Sequence, residues 1–391
     1  MASICKRTWT TPTGTVQTGW QVSYSDQAGK RRRRQFRRRK DADAFLVQAR
    51  SEVRDGTHTP ESESITVAAA AEVWYEACQL GRNGRSGAEA STLRQYRNHI
   101  DLHIVPTIGG TRLANLTSPR VVEFRDELLK TKSRTMAGKI LTSFKSILSE
   151  CQARGLVAQN VAMPVRISGS ARHKEPVSIP SRPIVQTVLK EADKQAASRN
   201  RQHAKRWRRY RALVMTAALT GMRVSELRGL AWVNVDFDGG AIEVRQRADE
   251  FGVIGSVKSK SARREIDISN NLVAVLREWK LECPPGDEGL VFPNWQGHVE
   301  ALSNIHNRCW VPLLKKCKLL GEGGRPLHKF HSLRHFHASS LIAAGATPKE
   351  VMTEIGHSSI QVTFDTYGHL FPEDSPARKQ RAADLEAEIL S

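Results

Sequence analysis

Two polar, proline-containing stretches limit how this chain can fold, because neither can contribute to a packed core. Residues 57–65 (THTPESESI) and 166–180 (RISGSARHKEPVSIP) lack apolar periodicity and carry turn-forming residues, so both are expected to be linkers. They cut the 391 residues into three pieces, expected as 1–58, 65–166 and 178–391. The fold class expected is multidomain α+β. It comprises a small N-terminal three-stranded sheet plus helix, an all-α four-helix domain, and a mixed, mainly-α domain with a small antiparallel sheet.

The first piece rests on alternation. Trp20, Val22 and Tyr24 alternate with polar residues, and residues 26–29 supply turn chemistry. Lys30, Arg31, Arg32, Arg33, Arg34, Arg37, Arg38, Arg39 and Lys40 then place nine basic side chains in eleven positions, with Phe36 among them. Asp41 is expected to cap a helix running to about Arg54. A localisation signal and a solvated strand face are alternatives for the basic run, but its setting between turns, aromatics and a helix favours a sheet that presents arginines to DNA. In the second piece, helices are expected over 67–78, from Ser91 or Thr92 to Ile104 with Pro106 as the stop, over 118–129, and over 134–154 with Gly155 as the stop. The third piece reads as helices near 181–197 and 207–220, strands at 241–247 and 263–268, a helix near 271–282, and helical segments over most of 303–355. Trp295 and Trp310 are expected to pack in its core.

Charge says what such a chain meets. Lys and Arg number 60 against 40 Asp and Glu, a net +20, and all three pieces are positive. A field of one sign along the whole chain suits a polyanion, nucleic acid above all. No apolar run nears the roughly 18 residues of a membrane span, the N-terminus has no signal-peptide core, and six scattered cysteines form no CxxC pair. A cytoplasmic, DNA-associated protein without a membrane segment is expected.

Three clusters in the last piece carry candidate chemistry. In ALTGMRVSELRGL, Gly221 breaks one helix and Arg223 opens the next, with Glu226 three residues on. Arg223 is placed to grip an anion there, although a surface ion pair with Glu226 explains the same spacing. In VKSKSARREIDIS, Lys258 and Lys260 lie near the turn of a basic hairpin whose returning strand alternates through Ile266 and Ile268. Either lysine could donate a proton, and solvated lysines are the plainer reading. In the third cluster, His331 and Arg334 share one helix face. Thr347 and Glu350 form a capping box, Gly356 ends that helix, and His357 and Tyr367 follow. His331, His335 and His337 raise the alternative of a zinc site, yet HExxH and paired cysteines are missing and Arg334 would place a cation beside the metal.

Together, TGMRVSEL, HSLRH and IGHSSIQVTFDTYGHL resemble the active-site motifs of tyrosine site-specific recombinases, the phage integrase family. The resemblance implies an arm-type DNA-binding domain at 1–58, a core-binding domain at 65–166 and a catalytic domain at 178–391. Arg223 and Arg334 would neutralise the phosphate, Tyr367 would attack it with help from His331, Lys258 (or Lys260) would protonate the leaving 5′-hydroxyl, His357 would bind a phosphate oxygen, and Glu226 would position Arg223. It implies strand exchange through a 3′-phosphotyrosyl link and a Holliday junction, integrating or excising a phage or genomic island, with no metal and no cofactor. The implied partners are double-stranded DNA at core-type and arm-type sites and a homotetramer on that DNA. The need for a host DNA-bending protein and an excision factor is left open. Two rivals stand beside this reading: a non-catalytic or architectural DNA-binding protein derived from a recombinase, and a metal-dependent nuclease using Asp236, Asp238 and Asp249. The C-terminal stretch carries Ala383, Leu385, Ile389 and Leu390 at amphipathic spacing, for packing on a neighbouring protomer or on its own domain.

Overall fold

A computed structural model describes residues 2–10, 16–26, 29–56, 58, 64–82, 84, 86–168, 177–257, 260–371 and 375–390. Two compact units emerge, Met1–His173 and Lys174–Ser391.

The first unit contains two separate apolar cores. One lies between a sheet and a helix. Strands β1 (Ser3–Thr10), β2 (Val16–Ser25) and β3 (Arg31–Phe36) form an antiparallel meander, and α1 (Arg39–Arg54) covers one face. Val22 and Tyr24 point at α1, where Ala42 and Ala49 complete the small core. The α1 N-cap position is Arg38; Asp41 sits inside the first turn, where its charge suits the helix dipole but caps nothing.

The other core belongs to four helical rods. They are α2 (Val67–Leu80), α3 (Ala90–His99) running into α4 (Val105–Ile108), α5 (Ser118–Thr131) and α6 (Arg134–Ala153). Thr66, Thr117 and Ser133 cap α2, α5 and α6 with their side-chain oxygens. Contrary to the sequence expectation, Pro106 does not end the second rod. The turn before it, Ile100–Ile104, widens to a π-helix, and the rod continues to Ile108. A wider turn relieves the clash between the proline ring and the preceding carbonyl. The same device recurs at Pro312, where Ile305–Trp310 is π-helical between α11 (Leu302–Asn304) and α12 (Val311–Lys316).

The second unit is mainly helical. Helices α7 (Arg182–Ala196), α8 (Arg201–Thr220), α10 (Asn270–Lys280) and α12 enclose the largest apolar core. After the short α9 (Val224–Gly229) come β4 (Val235–Asp236), β5 (Ala241–Val244), β6 (Gln246–Ala248), β7 (Ile254–Ser256) and β8 (Arg264–Asp267). β4, β5 and β8 form one antiparallel sheet, and β6 and β7 form a hairpin inserted between its last two strands. α8 starts at Arg201, six residues earlier than its apolar spacing suggests, because Asn200 caps it. Helices α13 (Ser332–Ala343), α14 (Pro348–Ile355) and α15 (Ile360–Tyr367) build a smaller core around Ala338, Ile342, Val351, Ile355 and Tyr367. The last helix is α16 (Ser375–Leu390). Trp310 is buried as expected; Trp295, 41% exposed, is not. No helix among the described residues is long and apolar enough to cross a membrane.

Candidate active site

The site begins where α8 stops. Gly221 takes a left-handed φ of 59°, and a Cβ there would come within 2.7 Å of the His337 ring, so only glycine fits. Two residues on, Arg223 occupies the N-cap of α9, and Glu226 reaches back to accept its backbone N–H at 2.9 Å. The Arg223 guanidinium also donates to Glu226, at 2.7 Å. Glu226 is 2% exposed and has a second partner: Arg264 on β8 donates to both of its oxygens, at 2.9 and 3.3 Å.

Three arginines then converge on one helix end. Arg264 Nε donates to the carbonyl of Glu354 at 2.7 Å, Arg334 Nη2 to that of Ile355 at 2.5 Å, and Arg223 Nη2 to that of Gly356 at 2.7 Å. These are successive carbonyls at the C-terminus of α14, which lack intrahelical donors and carry the negative end of the helix dipole. Arg334 is fixed a second time, donating to the Gly221 carbonyl at 2.8 Å. The guanidinium groups are therefore oriented in the absence of substrate, by backbone atoms whose positions follow from Gly221 and Gly356. Gly356 is left-handed in its turn, with φ 65°, and lies against Arg264.

The electrostatics follow from this crowding. Burial alone would raise the Glu226 carboxyl, but Arg264 and then Arg223 outweigh it and hold the group below its ordinary range. Arg334 is pulled down to about 9, first by burial and then by the Arg223 charge. A cation under that strain is poised to gain from an anion. His331 and His357 are both pulled down to about 4, by the protein around them and then by neighbouring charges that include Arg334 and Arg223. Both are neutral at pH 7. His331 is exposed as a residue, so solvent screens part of this effect.

Tyr367 ends α15 with 1% of its surface exposed. Burial raises its hydroxyl to about 12, against a smaller opposing pull from Arg334. The His357 ring lies parallel to the tyrosine ring, 5° between planes and 6.2 Å between centroids, and its Nδ1 meets Thr363 Oγ1 at 2.9 Å. The hydroxyl itself meets His335 Nδ1 at 2.7 Å. His331 stands edge-on to His335, 5.0 Å between centroids. The imidazole at the hydroxyl is that of His335, with His331 behind it.

Five of the six expected catalytic residues, Arg223, His331, Arg334, His357 and Tyr367, together with Glu226, gather here. Lys258 lies outside the described residues, and Lys260 opens a short 3-10 turn, Lys260–Ala262. Sequence reasoning missed His335 and Arg264. The signal for Arg264 was its place two residues before Ile266 on a strand, which puts a charged side chain on the buried face. The signal for His335 was its position beside Arg334, one turn from His331, read then as a metal-ligand spacing. The three histidines do not converge: His335 meets the tyrosine, and His337 Nε2 meets Glu354 at 2.9 Å. Asp236 and Asp249 each cap a turn, and Asp238 pairs with Arg277, so the acidic triad is not assembled either.

The basic run divides by register. Arg32 pairs with Tyr24 and Arg34 with Val22 across the strands, so both lie on the α1 side. There Arg32 binds Asp26 at 2.7 Å and Arg34 stacks 4.9 Å from the Phe45 ring centre. Arg31 and Arg33 alternate to the opposite face with Ser23, Ser25 and Gln35, and both are exposed. Lys30, Arg37, Arg38 and Lys40 are exposed as well, and Arg39 lies over Trp20. In α8, half of another basic stretch is committed to carboxylates: Arg208 to Glu282, Arg209 to Glu300, and Arg211 to Asp193 and Glu278. In α16, Ala383, Leu385, Ile389 and Leu390 are exposed.

Residues 186–374 match the phage integrase family. A "Tyrosine recombinase XerC-like" protein of Caldanaerobacter subterraneus subsp. tengcongensis is 24% identical, over 92% of this chain and 94% of the relative. A "Putative prophage phiRv2 integrase" of Mycobacterium tuberculosis is 27% identical, over 87% and 86%. Among solved structures, the Tn1549 transposon integrase in complex with transposon right end DNA superposes with a TM-score of 0.64 at 18% identity, covering 82% of this chain and all of that one. A lambda integrase tetramer bound to a Holliday junction gives 0.56 at 19% identity, covering 90% and 95%. These two share the fold.

Proposed function

We propose that this chain, a tyrosine recombinase of the phage integrase family, integrates and excises a mobile element by cutting and rejoining DNA at specific sites. The observation that carries the reading is the buried Tyr367 hydroxyl, bonded to His335 and within reach of the Arg334 charge, with Arg334 and Arg223 both aimed by the α14 carbonyls.

The chemistry follows from what each group can do. The tyrosine oxygen attacks the scissile phosphorus, a P–O bond to tyrosine forms, and the P–O5′ bond breaks. Negative charge grows on the two non-bridging oxygens, where fixed guanidinium donors stabilise the transition state more than the ground state. His357, neutral, donates a hydrogen bond to one of those oxygens. Lys258 supplies the proton for the departing 5′-hydroxyl. The 3′-phosphotyrosyl ester keeps the bond energy, so a 5′-hydroxyl from a second duplex reverses the attack without ATP or metal. Glu226 holds Arg223 in place.

The assembly proposed is a homotetramer on double-stranded DNA passing through a Holliday junction, supported by the lambda integrase tetramer bound to one. Residues 1–58 would take arm-type sites through Arg31, Arg33 and their exposed neighbours, 65–166 the core-type site, and 178–391 the chemistry. The protein would work in the bacterial cytoplasm on the nucleoid. A host DNA-bending protein and an excision factor would set direction.

The test is strand exchange between two DNAs, one with the sequence at each end of the element and one with the unoccupied target, in EDTA without nucleotide. Recombinant product is expected. Product that forms only with added magnesium would contradict the reading.

A further inference from the structure

Tyr367 has a difficulty that the catalytic set named above does not solve. Its hydroxyl is buried, so the proton it must lose cannot pass to bulk water. Among the described residues, the other cations and imidazoles nearby are occupied or misaligned. Arg334 and Arg223 are donors only. The His357 ring lies face to face with the tyrosine, and its Nδ1 is engaged by Thr363. His331 meets His335 rather than the phenol. His335 Nδ1, at 2.7 Å, is the hydrogen-bond partner of the hydroxyl among the described residues. With the O–H donating, that ring is the Nε2–H tautomer and Nδ1 is an acceptor.

We propose that His335 is the catalytic base, taking the Tyr367 proton onto Nδ1 as the tyrosine oxygen attacks the phosphorus. The O–H bond breaks, the P–O bond to tyrosine forms, and His335 becomes an imidazolium. It returns the proton to the phenol oxygen when a 5′-hydroxyl displaces the tyrosine. The inference rests on the reading of Tyr367 as nucleophile. Among the described residues, charged and titratable groups facing His335 are His331 and Arg334 beside it in sequence and His357 and Tyr367 from the segments packed against it. Burial and then the Arg334 charge lower the His335 pKa, so the ring is neutral and able to accept at pH 7. The resulting imidazolium sits beside the phosphate that the arginines hold, which stabilises it once substrate is bound.

The experiment uses full-length protein and a nicked duplex spanning the element–flank junction, with sulfur replacing the bridging 5′ oxygen. A thiolate leaves without a proton, so the rate of covalent adduct formation reports loss of the tyrosine proton. His335→Asn keeps an acceptor near the Nδ1 position but cannot carry the proton, which separates placement from proton transfer. Folding is checked by melting temperature and DNA binding. Wild type should lose rate with a one-proton slope as the pH falls through a value below the ordinary imidazole range. His335→Asn should be slower by about 100-fold or more and should lack that slope, while His331→Asn keeps it. Wild-type rate and slope in His335→Asn would overturn this inference alone. An adduct that survives Tyr367→Phe would overturn the nucleophile and this inference with it.

Discussion

The molecule uses arginine in two opposite ways. Along residues 30–40 the charges are dense, and those on the outer face of β3 are open to solvent. Around Glu226, Arg223 and Arg264 are tied to the buried carboxylate, and both of them and Arg334 to the end of α14. A mobile, solvated cation adds affinity for any polyanion and carries little geometry. A cation fixed before the substrate arrives loses little order on binding and favours the geometry of the transition state. Preorganisation, then, is what separates a catalytic arginine from a binding one. The number of charges does not.

The largest effect should come from the buried carboxylate. Glu226→Ala leaves Arg264 charged and unpaired in the interior. It should lower stability by about 3–5 kcal/mol, read by denaturant unfolding, and reduce cleavage by at least 100-fold. Loss of cleavage without loss of stability would mean that Glu226 acts on substrate rather than on the arginines. Acid should come next. His331 and His357 have folded pKa values near 4, against about 6.5 in the unfolded chain. The unfolded state therefore binds more protons between those values. Stability is full above pH 6.5 and falls as the pH drops toward 4, on the order of 2 kcal/mol for His357 after allowing for solvent at its ring. Glu226 adds to the loss below its ordinary range. Melting temperatures from pH 7 to 4.5 should show the decline, and His331→Gln with His357→Gln should flatten it.

Smaller effects belong to the basic run. Replacing Arg31 and Arg33 together by Ala should reduce the slope of log affinity against log salt by about 2, with unfolding unchanged. The same loss from Gln35→Ala would mean that the outer face reads bases and not phosphate alone. The smallest change is at Arg32→Ala, which loses the half-buried pair with Asp26. About 1 kcal/mol of stability should go, with the salt slope preserved. A lower slope there would erase the division of the strand into two faces.

Local signals carried the parts of the site that local signals specify. Gly221 and Gly356 end helices in left-handed turns, and Thr347 with Glu350 forms the expected capping box, because each depends on residues a turn or less away. What stayed hidden spans distance. Arg223 meets a carbonyl 133 residues on, and no spacing rule contains that. The rod that passes through Pro106 was missed because tertiary packing, not propensity, rewards a π turn. Trp295 was assigned to the core for its position in the last piece, yet it lies exposed beneath Lys205 and Arg209. The histidine spacing at 331 and 335 was visible; the edge-on angle between the rings, which points one of them at the tyrosine, was not.

The central claim is that Tyr367 is the residue that joins DNA. Wild-type protein and Tyr367→Phe would each be incubated in EDTA with a nicked duplex spanning the element–flank junction, then digested and mapped by mass spectrometry for a nucleotide-bearing peptide. A phosphodiester on Tyr367 in wild type, and no adduct in the phenylalanine variant despite equal DNA binding, is the predicted result. An adduct on Tyr210 or Tyr96, or one that persists in Tyr367→Phe, would contradict it.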